Sequence, residues 1–268
     1  MLYNMYIDYC ILRRYPFMKK YLAIAMAALL LVLSLASCVT STDDGIGDYA
    51  PDVDYLVTEQ GTFYFKEAEG ETAILTRYVG KATKDDHVII PAMWGDRTVT
   101  VIGAEAFRGK AAIVGVEIPA TVTKIEYQAF ANCTELTELV LPEGILEIGK
   151  EAFANCTALT SVSFGSSLEK IDAYAFWKCD QLTTLSFPAT LKTIDAGAFY
   201  KCTGLTSVTF PASMDEIGEL AFYHCYRLQD VTLPEVAVMG EYVFALDEND
   251  TAMETEEATE APTEAPEA

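Results

Sequence analysis

The sequence predicts a solenoid of 23-residue units that is mostly β, with a parallel sheet, short helical turns and a β-hairpin cap at its N-terminal end. Three observations carry this prediction. A phenylalanine returns every 23 residues, at Phe107, Phe130, Phe153, Phe176, Phe199 and Phe222. A cysteine follows five of them three residues later, at Cys133, Cys156, Cys179, Cys202 and Cys225. The apolar positions between them repeat in register, and a period of about 20–50 residues is typical of units that bury their apolar faces by stacking on one another.

Residues 1–37 have the pattern of a bacterial signal peptide, with a second candidate start at Met18. From there the chain reads MKKYLAIAMAALLLVLSLASC, which is two lysines, an apolar run and small residues before Cys38. Leu35-Ala36-Ser37-Cys38 resembles the lipobox of bacterial lipoproteins. That resemblance implies that Cys38 is lipidated and becomes the mature N-terminus, and an ordinary secretory signal with a chance cysteine is the alternative.

Charge and composition describe the segments beyond the leader. Residues 38–53 are small, polar and acidic and are predicted to form a flexible tether. Residues 247–268 hold nine acidic and no basic residues and are predicted to be a disordered acidic tail.

The mature chain is strongly acidic. Removing residues 1–37 takes away four of the 18 basic and one of the 40 acidic residues, which leaves 14 basic and 39 acidic residues and a net charge of −25. Such a chain repels nucleic acid and anionic lipid head groups. It is therefore predicted to bind no nucleic acid and to meet a membrane only through its lipid.

The folded part is predicted to comprise an N-terminal cap, residues 54–101, and the solenoid, residues 102–246. The cap alternates in strand-like runs such as TFYF and TVTVI, as hairpins over an open solenoid end do. In each later unit, two apolar residues spaced by two mark a main-sheet strand that a proline ends, or Gly165 in one unit. A shorter extended run carries an isoleucine. The Ala-Phe pair is predicted to lie on a tight helical turn. Phe244 comes 22 residues after Phe222 and marks a shortened last coil.

The repeated phrase L-x-x-V-x-F-P-x-x-L-x-x-I-x-x-x-A-F-x-x-C resembles the BspA-type leucine-rich repeat of bacterial surface proteins, over about residues 102–244. The resemblance implies a leucine-rich repeat solenoid, a cell-surface location and adhesion to host proteins or other bacteria. The first copy departs from the phrase, since Lys110 replaces the cysteine and Ile113 the leucine. We therefore expect that this coil is partly solvated.

The repeated cysteine is expected to act as a small buried hydrophobe at a turn. A disulfide between neighbouring coils is the first alternative, but parallel side chains rarely reach the required dihedral angle, and five thiols cannot all pair. Zinc is the second alternative, but its ligands cluster around one point rather than forming a line.

No catalytic pattern is found, so the protein is predicted not to be an enzyme and to need no metal or cofactor. His87 lies beside Asp85 and Asp86 and is interpreted as a solvated loop residue. His224 occupies a repeat position held elsewhere by asparagine or lysine, which indicates a slot that needs only a polar residue.

Two surfaces are candidates for binding. The first, the aromatic edge, comprises Trp177, Tyr200 and Tyr223, which are expected to stack where two earlier coils carry alanine. A packed ladder that shields the turn is the alternative. The second, the hydroxyl stripe, lies on the outward positions of the main sheet at Ser161, Ser163, Thr184, Ser186, Ser207 and Thr209. Such residues also serve simply to solvate a strand.

Together these features predict a monomeric, lipid-anchored, extracytoplasmic protein that binds a protein or glycan ligand, host-derived or bacterial, in adhesion or another protein–protein interaction. A glycan-binding surface module and a structural envelope protein without a specific ligand are the alternatives.

Overall fold

A computed structural model describes residues 54–80, 86–234 and 237–244, which all belong to one compact unit. The predicted signal peptide, Cys38, the tether and the acidic tail lie outside the described residues. Strands at the N-terminal end are β1 Asp54–Val57, β2 Gly61–Glu67, β3 Thr72–Gly80, β4 Asp86–Ile89, β5 Met93–Trp94 and β6 Arg97–Ile102. The strands of the coils are β7 Ile113–Glu117, β8 Lys124–Ile125, β9 Glu138–Val140, β10 Glu147–Ile148, β11 Ser161–Ser163, β12 Lys170–Ile171, β13 Thr184–Ser186, β14 Thr193–Ile194, β15 Ser207–Thr209, β16 Glu216–Ile217, β17 Asp230–Thr232 and β18 Val238–Met239.

The predicted hairpin cap is confirmed. β1 pairs antiparallel with β2, and β2 with β3, and β3 then joins β6 in parallel. The alternation in TFYF buries Phe63 and Phe65, while Ala73 and Leu75 on β3 point into the same core. The cap therefore covers the first coil with two strands longer than any strand of the coils, β2 and β3.

The continuous sheet of the solenoid is formed by the short isoleucine strands. β6, β8, β10, β12, β14, β16 and β18 pair in parallel and in register, so that Ile102, Ile125, Ile148, Ile171, Ile194 and Ile217 form one row. With the cap strands they make an 11-stranded sheet. Hydrogen bonds extend the ladder past the strands, for example from Glu126 N–H to the Ile102 carbonyl at 2.9 Å.

The strands predicted to form the main sheet are instead divided among three smaller sheets. β4 pairs with β7, β9 pairs with β11, and β15 pairs with β13 on one side and β17 on the other. A proline, which has no backbone N–H to donate, lies two residues after the end of most of these strands. The prolines are Pro119, Pro142, Pro188, Pro211 and Pro234. The strands on this side have three residues in each of the coils after the first, and this includes β11, which is followed by Gly165 instead of a proline.

A row of phenylalanine rings runs through the core. Rings of successive coils lie 4.7–5.3 Å apart from Phe107 to Phe222, with planes within 10° of parallel. The row continues at its ends to Tyr78 in the cap, at 5.1 Å, and to Phe244, at 5.5 Å. The first coil was expected to be partly solvated. This is wrong for Ile113, which is buried. It holds for Lys110, which is half-buried, and for the exposed residues beside it.

The Ala-Phe segment is a series of turns, and the described residues contain no helix. Hydrogen bonds join residues three apart, as from Ala129 N–H to the Glu126 carbonyl. Two positions per coil then adopt a left-handed backbone, two residues before and two residues after the phenylalanine, as at Gln128 (φ 51°) and Asn132 (φ 62°). A left-handed residue stops a helix from propagating, so the predicted helical turn does not extend.

Within the described residues, no helix has the length and apolar character that crossing a membrane requires.

Candidate binding surfaces

The five repeated cysteines form a buried column of free thiols. Each Sγ donates to the backbone carbonyl of the phenylalanine 26 residues earlier, at 3.2–3.3 Å. Burial raises the pKa of all five thiols, to about 12 for Cys133 and Cys225. Such thiols are poor nucleophiles, so the column is a packing element that links each coil to the preceding one.

The hydroxyl stripe lies on two separate sheets rather than on one. Thr184 faces Ser207 and Ser186 faces Thr209 across β13 and β15, while Ser161 and Ser163 are on β11, which pairs only with β9. All six side chains are exposed except that of Ser207, which is half-buried. The stripe is thus accessible, but its hydroxyl groups do not follow one unbroken ladder.

The aromatic edge is partly assembled as expected. The rings of Tyr200 and Tyr223 stack at 5.8 Å, and Tyr174 contacts Tyr200 edge-on at 6.4 Å. The ring of Trp177 instead carries the Lys178 ammonium 4.8 Å from its centroid. Lys201 lies in the same way 5.5 Å from the centroid of the Tyr200 ring.

The core does not need rings at this edge. In the two earlier coils the same position holds Ala131 and Ala154, which are 1% and 4% exposed. Trp177, Tyr200 and Tyr223 are half-buried, so each places part of its ring beyond the space that alanine fills. The rings therefore add surface to the later coils rather than volume to their core.

His224 is a member of the aromatic edge that the sequence analysis missed. It is 4% exposed, and its ring contacts Tyr223 at 4.3 Å, Tyr200 at 5.3 Å and Tyr226 at 5.1 Å. Its Nδ1 also bonds the Tyr226 hydroxyl. The repeat position of His224 requires a left-handed backbone, since every residue found at that position has a positive φ. Polarity is therefore not its only requirement.

The described residues contain no group of three or more histidine, cysteine, aspartate or glutamate side chains placed to hold a metal. His87 is exposed as expected, but it lies on strand β4 and not in a loop. Its ring covers Gly115 so closely that a Cβ there would overlap it. Asp85 and the side chain of Asp86 lie outside the described part of the chain.

Comparison with known proteins agrees with the architecture. The profile of the BspA type leucine-rich repeat region matches residues 100–225 and 169–260, in six copies. A crystal structure of a T. pallidum leucine-rich repeat protein is 28% identical and covers 80% of this chain and 96% of its own, with a TM-score of 0.64. No curated protein matches the chain.

Two further solved structures are similar over a smaller share of their own length. A leucine-rich cell surface protein from Faecalibacterium prausnitzii is 28% identical, covers 67% of this chain and 54% of its own, and has a TM-score of 0.52. A leucine-rich repeat protein from Bacteroides ovatus, at 24% identity, covers 77% of this chain and 57% of its own, with the same TM-score, and supports the fold alone. This chain spans little more than half of either protein.

Proteins with this repeat are in general binding scaffolds rather than enzymes, and they are typically associated with the cell surface. The match extends from residue 100 to residue 260, which is more than half of the chain, and the structure shows the repeats in register. The chain belongs to the BspA-type leucine-rich repeat family.

Proposed function

We propose that this protein is a lipid-anchored, extracytoplasmic surface protein that binds a macromolecular partner, in adhesion or another protein–protein contact, with the aromatic edge as its main contact. The observation that carries the proposal is the difference between the coils at one position. Ala131 and Ala154 fill that position in the early coils, whereas Trp177, Tyr200 and Tyr223 extend beyond it in the later coils.

The chemistry of the edge supports a binding role. Tyrosine and tryptophan are enriched at the centres of protein interfaces, because a large flat ring with a polar group loses little conformational entropy when it is covered. The stack of Tyr200 on Tyr223 holds both rings in place before a partner arrives. Lys178 and Lys201 lie beside two of the rings and add donors for a polar partner.

The anchor part of the proposal depends on Cys38. A single acyl chain binds a membrane weakly and two give stable attachment, and the resemblance to lipoproteins implies a diacylated Cys38. We expect radiolabelled fatty acid to be incorporated into the protein in bacterial cells and to be absent from the Cys38→Ser variant. Equal labelling of the two proteins would contradict lipidation at this residue.

The binding part is tested with the full-length protein, purified in detergent and screened against matrix proteins, mucins and arrayed glycans. The variant replaces Trp177, Tyr200 and Tyr223 with alanine together. The matched control replaces three exposed tyrosines outside the edge, Tyr55, Tyr127 and Tyr242, with alanine. Thermal unfolding verifies that both variants remain folded.

We expect saturable binding to at least one protein ligand, weakened about tenfold or more in the edge variant and unchanged in the control. Saturable binding to glycans alone, lost in the same variant, would replace the protein partner with a sugar stacked on the rings. Binding that survives in the edge variant would move the contact to the hydroxyl stripe or the cap. Binding to none of these ligands would favour a structural role.

A further inference from the structure

A polar cavity of about 390 Å³ opens where the cap meets the first coil. Arg77 and Tyr78 from the end of β3 form one wall, and Glu105, Arg108 and Lys110 from the first turn form another. Asn132 closes it from the second coil. The cavity thus depends on three parts of the chain that only the fold brings together.

Positive charge is concentrated in this cavity. It holds three cations and one carboxylate in a chain whose net charge is −22. Arg108 pairs with Glu105 at 3.1 Å, but neither Arg77 nor Lys110 forms an ion pair within the described residues. Most other described cations do have a carboxylate partner, namely Arg97, Lys124, Lys150, Lys170 and Lys192.

The repeat does not require these cations. The next two coils carry the buried Ala131 and Ala154 at the position of Arg108, and five coils carry a buried cysteine at the position of Lys110. Burial raises the pKa of the Cys133 thiol, and the positive charge of the nearby Lys110 partly opposes that shift. In the first coil, two charged residues that line the cavity therefore occupy positions where other coils have buried packing residues.

The wall beneath the charges is held firmly. The Tyr78 hydroxyl donates to the Gln60 carbonyl at 2.9 Å, and its backbone N–H donates to the Ala106 carbonyl at 2.8 Å. Its ring packs between Phe63 and Phe107, at 4.9 Å and 5.1 Å. The backbone that carries Arg77 is therefore fixed before a ligand binds, and only the long cationic side chains have to be ordered.

We propose that this cavity binds the acidic group of a single sugar unit, as a carboxylate or a sulfate ester, on a surface glycan. Guanidinium groups match the two oxygens of a carboxylate or sulfate with paired hydrogen bonds, and the lysine ammonium adds a point charge. Glu105 and Asn132 supply the acceptors and donors that sugar hydroxyl groups need. That mixed lining fits an acidic sugar better than a bare anion, and a volume of about 390 Å³ gives room for one sugar unit rather than for an extended acidic peptide.

This site is independent of the proposed function. It shares no residue with the aromatic edge, which begins at Trp177, two coils beyond Asn132. Either site can therefore be removed without altering the other, and the two experiments can fail separately.

The test measures the Kd of the full-length protein in detergent by titration calorimetry. The ligands are glucuronate, N-acetylneuraminate and glucose 6-sulfate, with glucose, inorganic sulfate and tetraglutamate for comparison. The cavity variant replaces Arg77, Arg108 and Lys110 with glutamine. The matched control removes three cations elsewhere, with Lys66→Gln, Lys150→Gln and Arg227→Gln, so that both variants have the same net charge.

At least one acidic sugar should bind the wild type and the control equally, and the cavity variant about tenfold or more weakly, because each lost cation removes charge-assisted hydrogen bonds. Glucose should not bind. Comparing the carboxylated sugars with the sulfated sugar shows which of the two acidic groups the cavity binds. The single variant Arg77→Lys keeps the charge, so it should lose only about threefold, through the loss of the paired geometry.

Three outcomes would overturn the proposal. The first is that no acidic sugar binds the wild type. The second is that the control loses as much affinity as the cavity variant, which would reveal general attraction to positive charge. The third is that inorganic sulfate or tetraglutamate binds as tightly as the acidic sugar. Should the triple variant unfold early in a thermal scan, the same comparison is made with the exposed single variant Arg77→Gln.

Discussion

At the N-terminal end of the solenoid the long strands β2 and β3 cover the core, whereas at the C-terminal end of the described part the sheet finishes with the two-residue strand β18. Strand β2 buries Phe63 and Phe65 beside the first coil. On β18, Val238 is 67% exposed, and Phe244 behind it is half-buried. Because each coil of a solenoid is stabilised only by its neighbours, the stability of the coils should fall from the capped end towards the C-terminal end. The C-terminal coils are therefore expected to open first.

The largest effect should come from ionising the thiol column that runs between the two ends. Folded thiols keep their protons to about pH 12 at Cys133 and Cys225, whereas unfolded thiols lose theirs above about pH 8.5. The unfolded state therefore binds fewer protons above that pH, and the free energy of unfolding falls as the pH rises. The loss is about 1.4 kcal/mol per thiol per pH unit.

Urea unfolding between pH 8 and pH 10.5 measures this slope. Substituting Cys133 at the capped end, or Cys225 at the other end, with alanine should reduce the contribution of the thiols by about one fifth each. A slope that the two substitutions leave unchanged would assign the alkaline loss to other groups. A larger reduction for Cys133 would indicate that the C-terminal coil is already open when the thiols ionise.

The next effect compares two rings of the phenylalanine row. Phe153 is fully buried and stacks on both sides, at 5.2 Å and 5.3 Å, so Phe153→Ala should lower the free energy of unfolding by about 3–5 kcal/mol. Phe244 is half-buried, stacks on Phe222 and meets the ring of Phe210 edge-on at 6.5 Å, and Phe244→Ala should cost about 1–2 kcal/mol. Chemical unfolding followed by circular dichroism measures both. Equal losses would mean that the C-terminal coil is packed as tightly as the middle.

A third experiment follows the opening of the coils through their cysteines. A thiol reagent reaches a buried, protonated thiol only after local opening, so the labelling rate in mild urea reports the stability of each coil. We expect Cys225 to be labelled about tenfold or more faster than Cys133. Peptide mass mapping identifies the modified residue. Uniform labelling would show that the solenoid opens as one unit, and the reverse order would show that the cap opens first.

The sequence was sufficient to predict the stacked coils, the phenylalanine row and the burial of the cysteines. These features depend on one residue type recurring at a fixed period, which a sequence displays directly. The continuous sheet was assigned to the wrong strands, because two alternating apolar residues before a proline are a stronger signal than the single isoleucine of β8 or β10. Parallel pairing nevertheless runs without a break through the isoleucine strands, from β6 to β18.

Other features depend on contacts that periodicity does not reveal. Left-handed positions are readable where asparagine occupies them, as at Asn132, but not where glutamine or lysine does, as at Gln128 and Lys201. The burial of His224 comes from the tyrosines of its own and the preceding coil. The cationic cavity brings Arg77 together with residues from Glu105 to Asn132, and no short motif connects them.

The smallest effect should come from placing a charge on the exposed strand at the C-terminal end. Val238→Lys puts a lysine where the side chain is already 67% exposed, so the free energy of unfolding should change by less than about 0.5 kcal/mol. Val57→Lys on β1, where the side chain is 65% exposed, is the matched change at the capped end and should be equally mild. Urea unfolding of both variants measures the comparison.

A third variant shows how narrow the exposed region is. Val243 lies five residues after Val238 but is 5% exposed, and its carbonyl accepts the N–H of Phe222 at 2.8 Å. Val243→Lys should therefore cost several times more than Val238→Lys, because the ammonium must leave water or push the last turn aside. If all three variants were equally mild, the last coil would contribute nothing to stability, and the solenoid would in effect end at Phe222. If Val238→Lys alone were severe, β18 would be covered by another part of the chain or by a second molecule.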